Sequence, residues 1–492
     1  MAPSCLISPD RPKLGMEPER SASLESRRAR RPRGYGDIGG STLAGRTALQ
    51  PPPGAAVFGA PLRAGAFAGQ LAPKIRLGEE GMDLGVTDKV RPLVAAVRAM
   101  VRNEIMPLED EYEAEVGREG DRFTPTARMV EIRETLKQKA RTQGLWNFWL
   151  TGSDKGFGLT TVEYAYLAEE MGWSPLASEV FNCSAPDTGN MEVLERYGSP
   201  EQKARWLPDL LEGRARSAYL MTEPGVASSD AANIALQARL EGEEWALDGE
   251  KWWSSGAGDP RCSLYIVMAL TDPQAPRHAR HSMLLVPAAA KGVEKVRALT
   301  IYGADDAPHG HLHIRFTDVR VPKDAIVLAR GRGFEIAQGR LGPGRIHHCM
   351  RAIGQAERAL EAMCRRAVAR EAFGQKLAAL GANRDIIAES RMSIEMARLL
   401  CLKAAWTMDT QGARAAAPLI SQIKVIAPRV ALEVIDQAVQ LHGGAGVSQD
   451  FPLARMWANV RTLRLADGPD AVHRRVVAKA ELKRYVNESG AR

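Results

Sequence analysis

The spacing of apolar residues changes twice along this 492-residue chain, and the order of those changes constrains the fold more than anything else in it. From Asp88 the spacing is helical, with Val90, Leu93, Val94, Val97, Met100, Val101 and Ile105 on one face. Stretches 125–143, 160–171 and 201–211 continue it. Near Ser217 the pattern turns to short β-rich runs divided by turn residues, such as "SLYIVMAL", "SMLLVPA" and "HLHIRFTDVRVP". Leu247-Asp248-Gly249-Glu250 carries a DG hairpin signal among them. After Gly344 helical spacing returns at Ile346, Met350, Ile353, Leu360 and Cys364, followed by long patterns over 384–410, 418–441 and 469–485. Pro428 is expected to kink the helix over 418–441. A doubly wound α/β fold needs alternating strands and helices, which are absent. The expectation is α+β: a helical domain over 82–214, a small antiparallel β-domain over 215–330 and a helical bundle over 331–492.

The net charge of +7 says little about partners, because 12 Lys+Arg against 7 Asp+Glu fall within residues 1–81, leaving 54 against 52 for the rest. A nucleic-acid partner is therefore not expected. Residues 1–81 are rich in Gly, Pro, Ala and Arg without a sustained period, so we read them as a disordered extension, or as one that is not translated, since Met82 opens the helical pattern. Four acids before residue 26 argue against a mitochondrial transit peptide. No run approaches the ~20 apolar residues of a membrane helix. The six cysteines (Cys5, Cys183, Cys262, Cys349, Cys364 and Cys401) form no CxxC pair, which suits buried thiols in a reducing compartment.

Several stretches could carry chemistry. "YLMTEPGVASSD" (219–230) offers backbone amides with the hydroxyls of Thr222, Ser228 and Ser229, and reads either as a capped loop or as a cradle for the edge of a polar heterocycle. "KWWSSGAG" (251–258) sets two Trp beside two Ser, which suits a flat ring with polar edges and equally a β core. In "RLGPGRIHHCMR" (340–351) a Gly-Pro-Gly break places Arg345 at a helix start, where a cation opposes the dipole; it is either solvated or meets an anion. "REAFGQ" (370–375) ends a helix. "LHGGAGV" (441–447) follows a helix rather than a strand and so is no dinucleotide fingerprint. "HGHLH" (309–313) lacks Cys or acid partners at ligand spacing, so no metal site is expected there. Asp467, ahead of Gly468-Pro469 and a helical pattern, is either an N-cap or a catalytic base.

Taken in order, TEPG, a DGEKWW-type strand, an Arg-led helix, RxxFG, a Gly-Gly loop and an acid-Gly pair before the last helix resemble the acyl-CoA dehydrogenase family over about residues 85–487. The resemblance implies a helical domain, a β-domain and a four-helix bundle, with FAD between the last two, in a homodimer or homotetramer. It implies that Met221, Thr222, Ser228, Ser229, Trp253 and Ser255 line the isoalloxazine, and that Arg370, Phe373, Gln375, Gln440, Gly443 and Gly444 contact the FAD of a neighbouring subunit. It puts Asp467 at the position of the catalytic glutamate. Gly468 then lies against the thioester, and Ser229 and Arg345 near the substrate.

Three departures stand out. TEPGVASSD has one residue more than the usual TEPGAGSD. Pro469 and Ala471 occupy FAD-contacting positions that usually hold Thr and Gln. The base is Asp rather than Glu, shorter by roughly 1.5 Å. Asp467 together with GPGRIHHCMR looks like the branch that in animals is fused to a small-molecule kinase domain.

The implied activity is α,β-dehydrogenation of an acyl-CoA to the trans-2-enoyl-CoA, in fatty-acid β-oxidation, with electron-transfer flavoprotein or a similar acceptor. Burial is expected to raise the pKa of the base toward working pH. Two other readings stand beside it: a flavoprotein acting on a hydroxyacyl- or phosphohydroxyacyl-CoA, and a non-catalytic flavoprotein scaffold, against which the intact acid argues. The expected location is cytoplasmic in a bacterium, and the mitochondrial matrix or peroxisome in a eukaryote.

Overall fold

The computed structural model describes residues 81–150 and 156–489. The expectation for residues 1–81 lies, Gly81 apart, outside the described residues. Helices α1 (Arg91–Met100), α2 (Glu109–Ala114), α3 (Ala127–Thr142), α4 (Thr161–Met171), α5 (Ala177–Val180), α6 (Asp187–Tyr197) and α7 (Pro200–Leu211) form the first block. Local chemistry sets the helix starts. Thr160 and Ser199 each make a capping box, with Glu163 and Gln202 respectively, at the heads of α4 and α7.

The sheet follows: β1 (Arg216–Leu220), β2 (Gln237–Glu241), β3 (Glu244–Ser255), β4 (Cys262–Leu270), β5 (His281–Pro287), β6 (Val293–Leu299) and β7 (His311–Pro322). Its strand order is β1-β4-β2-β3-β7-β6, with β5 paired to β4. It is mostly antiparallel, as expected, but β1 runs parallel to β4, so the sheet is mixed. The hairpin expected at Asp248-Gly249 is absent. The turn falls at Gly242-Glu243, and β3 runs straight through 248–249 with a register shift against β7. A Cβ on Gly249 would come 2.9 Å from the Leu236 backbone, so this glycine serves close packing at a bulge.

The last block holds α8 (Gly333–Ala369), a two-stranded hairpin of β8 (Glu371–Ala372) and β9 (Gln375–Lys376), and then α9 (Gly381–His442), α10 (Leu453–Leu463) and α11 (Asp470–Ser489). Two expectations are corrected here. Gly342-Pro343-Gly344 does not break the chain: α8 begins at Gly333, so Arg345 lies in a helix interior. The backbone of α9 breaks at Gly412 (φ 81°, ψ 173°) and stays helical through Pro428. Glycine permits that left-handed φ; proline only removes one donor. One described helix, Gly381–Val447, is long and apolar enough to cross a bilayer by length and composition, which the sequence reading missed. Ile394, Ala397, Cys401, Ile420, Ile423, Ala427, Ala431 and Ile435 from it are buried in the bundle.

Two packed clusters result. Alternate residues of β4 serve both: Leu264, Ile266 and Met268 face the helices, while Tyr265, Val267 and Ala269 face the core of the sheet itself. Helices α4 and α8 cross closely, because a Cβ on Gly354 would lie 2.0 Å from the Glu169 carbonyl oxygen and 3.1 Å from the Gly172 Cα. Helix α6 pins β1: Asp187 accepts from the Ser217 amide (2.6 Å) and hydroxyl (2.7 Å), and pairs with Arg216.

Candidate active site

Between α10 and α11 the chain turns sharply, with Asp467 at φ 55° and Gly468 at φ 101°. Carbonyls on one side of this turn are tied down from three elements. Lys424 of α9, fully buried, donates to the carbonyls of Leu463 and of Ala466 (2.8 Å). Arg345 of α8 donates through Nε to the Asp467 carbonyl at 3.1 Å, and His473 of α11 approaches the same carbonyl with Nε2 at 3.2 Å. With its carbonyls held, the turn presents the Asp467 side chain, about a quarter exposed, to a cavity lined by Ala185, Thr188, Arg340, Gly344, His348 and Arg351. The Asp467 amide makes no hydrogen bond among the described residues.

The expected rise in the Asp467 pKa is corrected. Burial would push the carboxyl up, but His348, Arg340, Lys424 and Arg345 lie close enough to hold it below the usual carboxylate range. The cause is this surround, a neutral imidazole beside the cations Arg340, Lys424 and Arg345, of which only Arg345 was singled out in the sequence. Burial also pushes His348 down to about 3 and His473 down to about 4, so both rings are neutral near pH 7.

The β-domain reaches this region through Tyr219 of β1. Arg340 stacks its guanidinium 4.0 Å from the Tyr219 ring centre and donates to the Asn190 side chain (3.2 Å) and the Pro186 carbonyl (3.4 Å). The Tyr219 hydroxyl is buried with no hydrogen-bond partner among the described residues. Just beyond β1, the Thr222 carbonyl accepts from the Trp252 amide at 2.9 Å, which lays the TEPG stretch beside β3. Beneath them Glu223 and Lys251 form a buried ion pair at 2.7 Å, and Lys251 also donates to the carbonyls of Met221 and Met268. Neither residue was read as important in the sequence, although a charged pair inside "TEP" and "EKWW" was visible.

The sequence-derived positions therefore fall into three groups. Arg345, Gly468 and Pro469 gather at Asp467. Met221, Thr222, Trp253 and Ser255 share the β-domain edge. The Ser255 hydroxyl meets His311 Nδ1 at 2.8 Å, and the Trp253 ring, 40 % exposed at φ 52°, lies 5.8 Å from that imidazole. Ser228 turns back to accept from the Glu223 amide at 2.9 Å, and Ser229 is exposed. The third group faces solvent. Phe373 and Gly374 (φ 52° and 76°) make the two-residue turn between β8 and β9, with Phe373 95 % exposed beside Arg370 and Gln375. Gln440, Gly443, Gly444 and Ala471 are likewise exposed. Of the HGHLH histidines, His311 serves Ser255 and His313 sits 3.1 Å from Glu250.

This face fits a flat heterocycle with polar edges. It offers the half-uncovered Trp253 indole and the Thr222 and Ser255 hydroxyls, and the buried Trp252 Nε1 lacks a hydrogen-bond partner among the described residues. Residues 87–214, 218–319 and 331–482 match the family models for the N-terminal, middle and C-terminal domains of acyl-CoA dehydrogenase. Mouse acyl-CoA dehydrogenase family member 10 is 53% identical over 404 residues, covering 81% of this chain but 37% of its own length. The probable acyl-CoA dehydrogenase FadE2 of Mycobacterium tuberculosis is 53% identical over 354 residues, 72% of this chain and 86% of that protein. A solved Mycobacterium abscessus protein of the same family superposes with a TM-score of 0.78 at 52% identity, over 82% of this chain and all of the other. By sequence, domain order and fold, the chain belongs to the acyl-CoA dehydrogenase family.

Proposed function

We propose that the protein is an FAD-dependent acyl-CoA dehydrogenase that removes the α-proton and β-hydrogen of an acyl thioester, with Asp467 as the base. The observation that carries this reading is the Asp467 turn, which lines a cavity with a carboxylate held ionised. Bound FAD would supply the two-electron acceptor for the β-hydrogen, which no side chain can be. Met221, Thr222, Ser228, Ser229, Trp253 and Ser255 would hold it, with Arg370, Phe373, Gln375, Gln440, Gly443 and Gly444 presented to a second subunit's cofactor.

The chain's own part is proton chemistry. An α-proton is a poor acid until negative charge on the thioester oxygen is stabilised. The peptide joining Ala466 to Asp467 is trans, so its N–H points opposite the carbonyl that Lys424 holds. That turns the Asp467 amide, which makes no hydrogen bond among the described residues, away from Lys424 and leaves it free to donate to the developing enolate while the carboxylate of the same residue takes the proton. A carboxylate held well ionised is a weak base in water but is always in the accepting form near pH 7.

The test is anaerobic mixing of purified holoprotein with a panel of acyl-CoA thioesters, following loss of the oxidised-flavin absorbance. No bleaching with any member would refute the reading. A second reading, an acyl chain bearing a hydroxyl or phosphate, is favoured by Arg340 and the unpartnered Tyr219 hydroxyl beside the cavity; adding oxygenated thioesters to the panel compares the two. Electron-transfer flavoprotein is the proposed electron acceptor.

A further inference from the structure

His348 lies against the carboxylate. Its Nε2 is 3.5 Å from Asp467 Oδ2, and its Nδ1 faces an Arg351 guanidinium nitrogen at 3.2 Å. A guanidinium only donates, so the Nδ1 facing it must be the unprotonated nitrogen. The single ring proton of the neutral imidazole then sits on Nε2, the nitrogen 3.5 Å from Asp467 Oδ2. The backbone at Arg351 is in turn packed closely on α4's end, its carbonyl 2.3 Å from where a Cβ on Gly172 would be.

We propose that His348, fixed in its Nε2–H tautomer by Arg351, is a positioning residue that holds Asp467 Oδ2 and leaves Oδ1 to meet the α-proton. The proposal rests on reading Asp467 as the base. The charged and titratable groups facing Asp467 are Arg340, Arg345 and His348 from α8, Lys424 from α9, His473 from α11 and Tyr219 from β1. Arg345 and His473 engage the backbone carbonyl of residue 467 and Lys424 those of its neighbours. Among the described basic side chains only His348 reaches the carboxylate itself.

Two consequences follow. The imidazole is removed as a rival base, because one nitrogen carries a proton and the other is capped by Arg351. A carboxylate one methylene shorter than glutamate also needs its direction fixed more tightly, because it has one torsion fewer with which to find the substrate. Anchoring one oxygen fixes the other.

The experiment is single-turnover flavin reduction across pH in the holoenzyme, with the saturated acyl-CoA that reduces the wild type fastest. His348→Leu should keep its FAD and its acyl-CoA affinity, reduce about tenfold more slowly for loss of the polar contact that orients the carboxylate, and show its acid limb at higher pH. His348→Gln, which can place an amide N–H in the same direction, should recover part of the rate and the original limb. A Leu variant with the wild-type rate, or a slow one whose limb has not moved, overturns the proposal. If the Leu variant loses its FAD, Arg351→Met poses the same question by freeing Nδ1, and an unmoved limb there overturns it too. Asp467→Asn run alongside separates the two ideas: wild-type reduction in that variant refutes Asp467 as the base, whatever His348 does.

Discussion

Lys424 Nζ donates to the carbonyl oxygen of Ala466 at 2.8 Å, and through the planarity of one peptide it sets the direction of the Asp467 amide. A fully buried lysine spent on backbone carbonyls makes sense at a turn whose two central residues sit at positive φ. Lys424→Met keeps the length and loses the donor. It should cost about 1–3 kcal/mol for each carbonyl left unpaired and slow flavin reduction at least about tenfold, with FAD content retained. Urea unfolding and stopped-flow reduction of one preparation check both halves.

Asp467→Asn should fold and bind acyl-CoA, since the side-chain volume barely changes and the proposed enolate donor is backbone, yet reduce its flavin ~10²–10⁴-fold more slowly. Asp467→Glu should retain part of the activity. Because the neighbouring cations hold the Asp467 pKa down, the carboxylate stays ionised as pH falls through the ordinary carboxylate range. The kcat/KM profile of the wild type should therefore show no acid limb from this residue near neutral pH. A limb at pH 6 that disappears in Asp467→Glu would contradict it.

Much of this site was legible in the sequence, and what was missed has physical causes. Asp467, Arg345 and the Gly468-Pro469 turn were visible because glycine, proline and a lone acid punctuate a helical pattern. Arg340, His348, Lys424 and His473 were not, because each sits inside a helix where a charged or polar residue reads as solvated surface; only tertiary packing turns it inward. The same blindness misplaced the head of α8. Gly342-Pro343-Gly344 carries strong breaker signals, yet flanking turns packed against the rest of the molecule keep it helical. At Asp248-Gly249 a true turn signature was spent on a bulge, because the hairpin had already closed at Gly242.

Gly354→Ala should destabilise the protein by about 1–3 kcal/mol, since the new methyl would sit 2.0 Å from the Glu169 carbonyl oxygen and drive α8 away from α4. His348 and Arg351 ride on that stretch of α8, so the variant should also lose reduction rate. A denaturation midpoint equal to wild type would show that the crossing is looser than described.

Glu192 on α6 is buried, and burial outweighs Arg196 and Arg340 to raise its pKa to about 7. A carboxyl whose folded pKa exceeds its unfolded one favours the fold at low pH and loses that advantage as pH rises through the folded value. Glu192→Gln should therefore change stability little at pH 5 and raise it by about 1–3 kcal/mol at pH 8. Melting curves at the two pH values give the comparison.

Phe373, 95 % exposed at the tip of the β8–β9 turn, is far more apolar than a solvent-facing turn requires. If it meets a second subunit's cofactor, Phe373→Asp and Arg370→Ala should each lower FAD occupancy and shift sedimentation toward smaller species together. A variant that remains assembled with full FAD would remove these residues from the interface.

The alternation along β4 has a thermodynamic meaning of its own. Ile266 belongs to the core shared with the helices and Val267, the next residue, to the core inside the sheet. A strand wedged between two interiors cannot leave one of them and stay in the other, so the boundary that divides this chain by sequence pattern does not divide it as a melting unit. Heating should give one cooperative transition in which helical and β signals vanish at the same temperature.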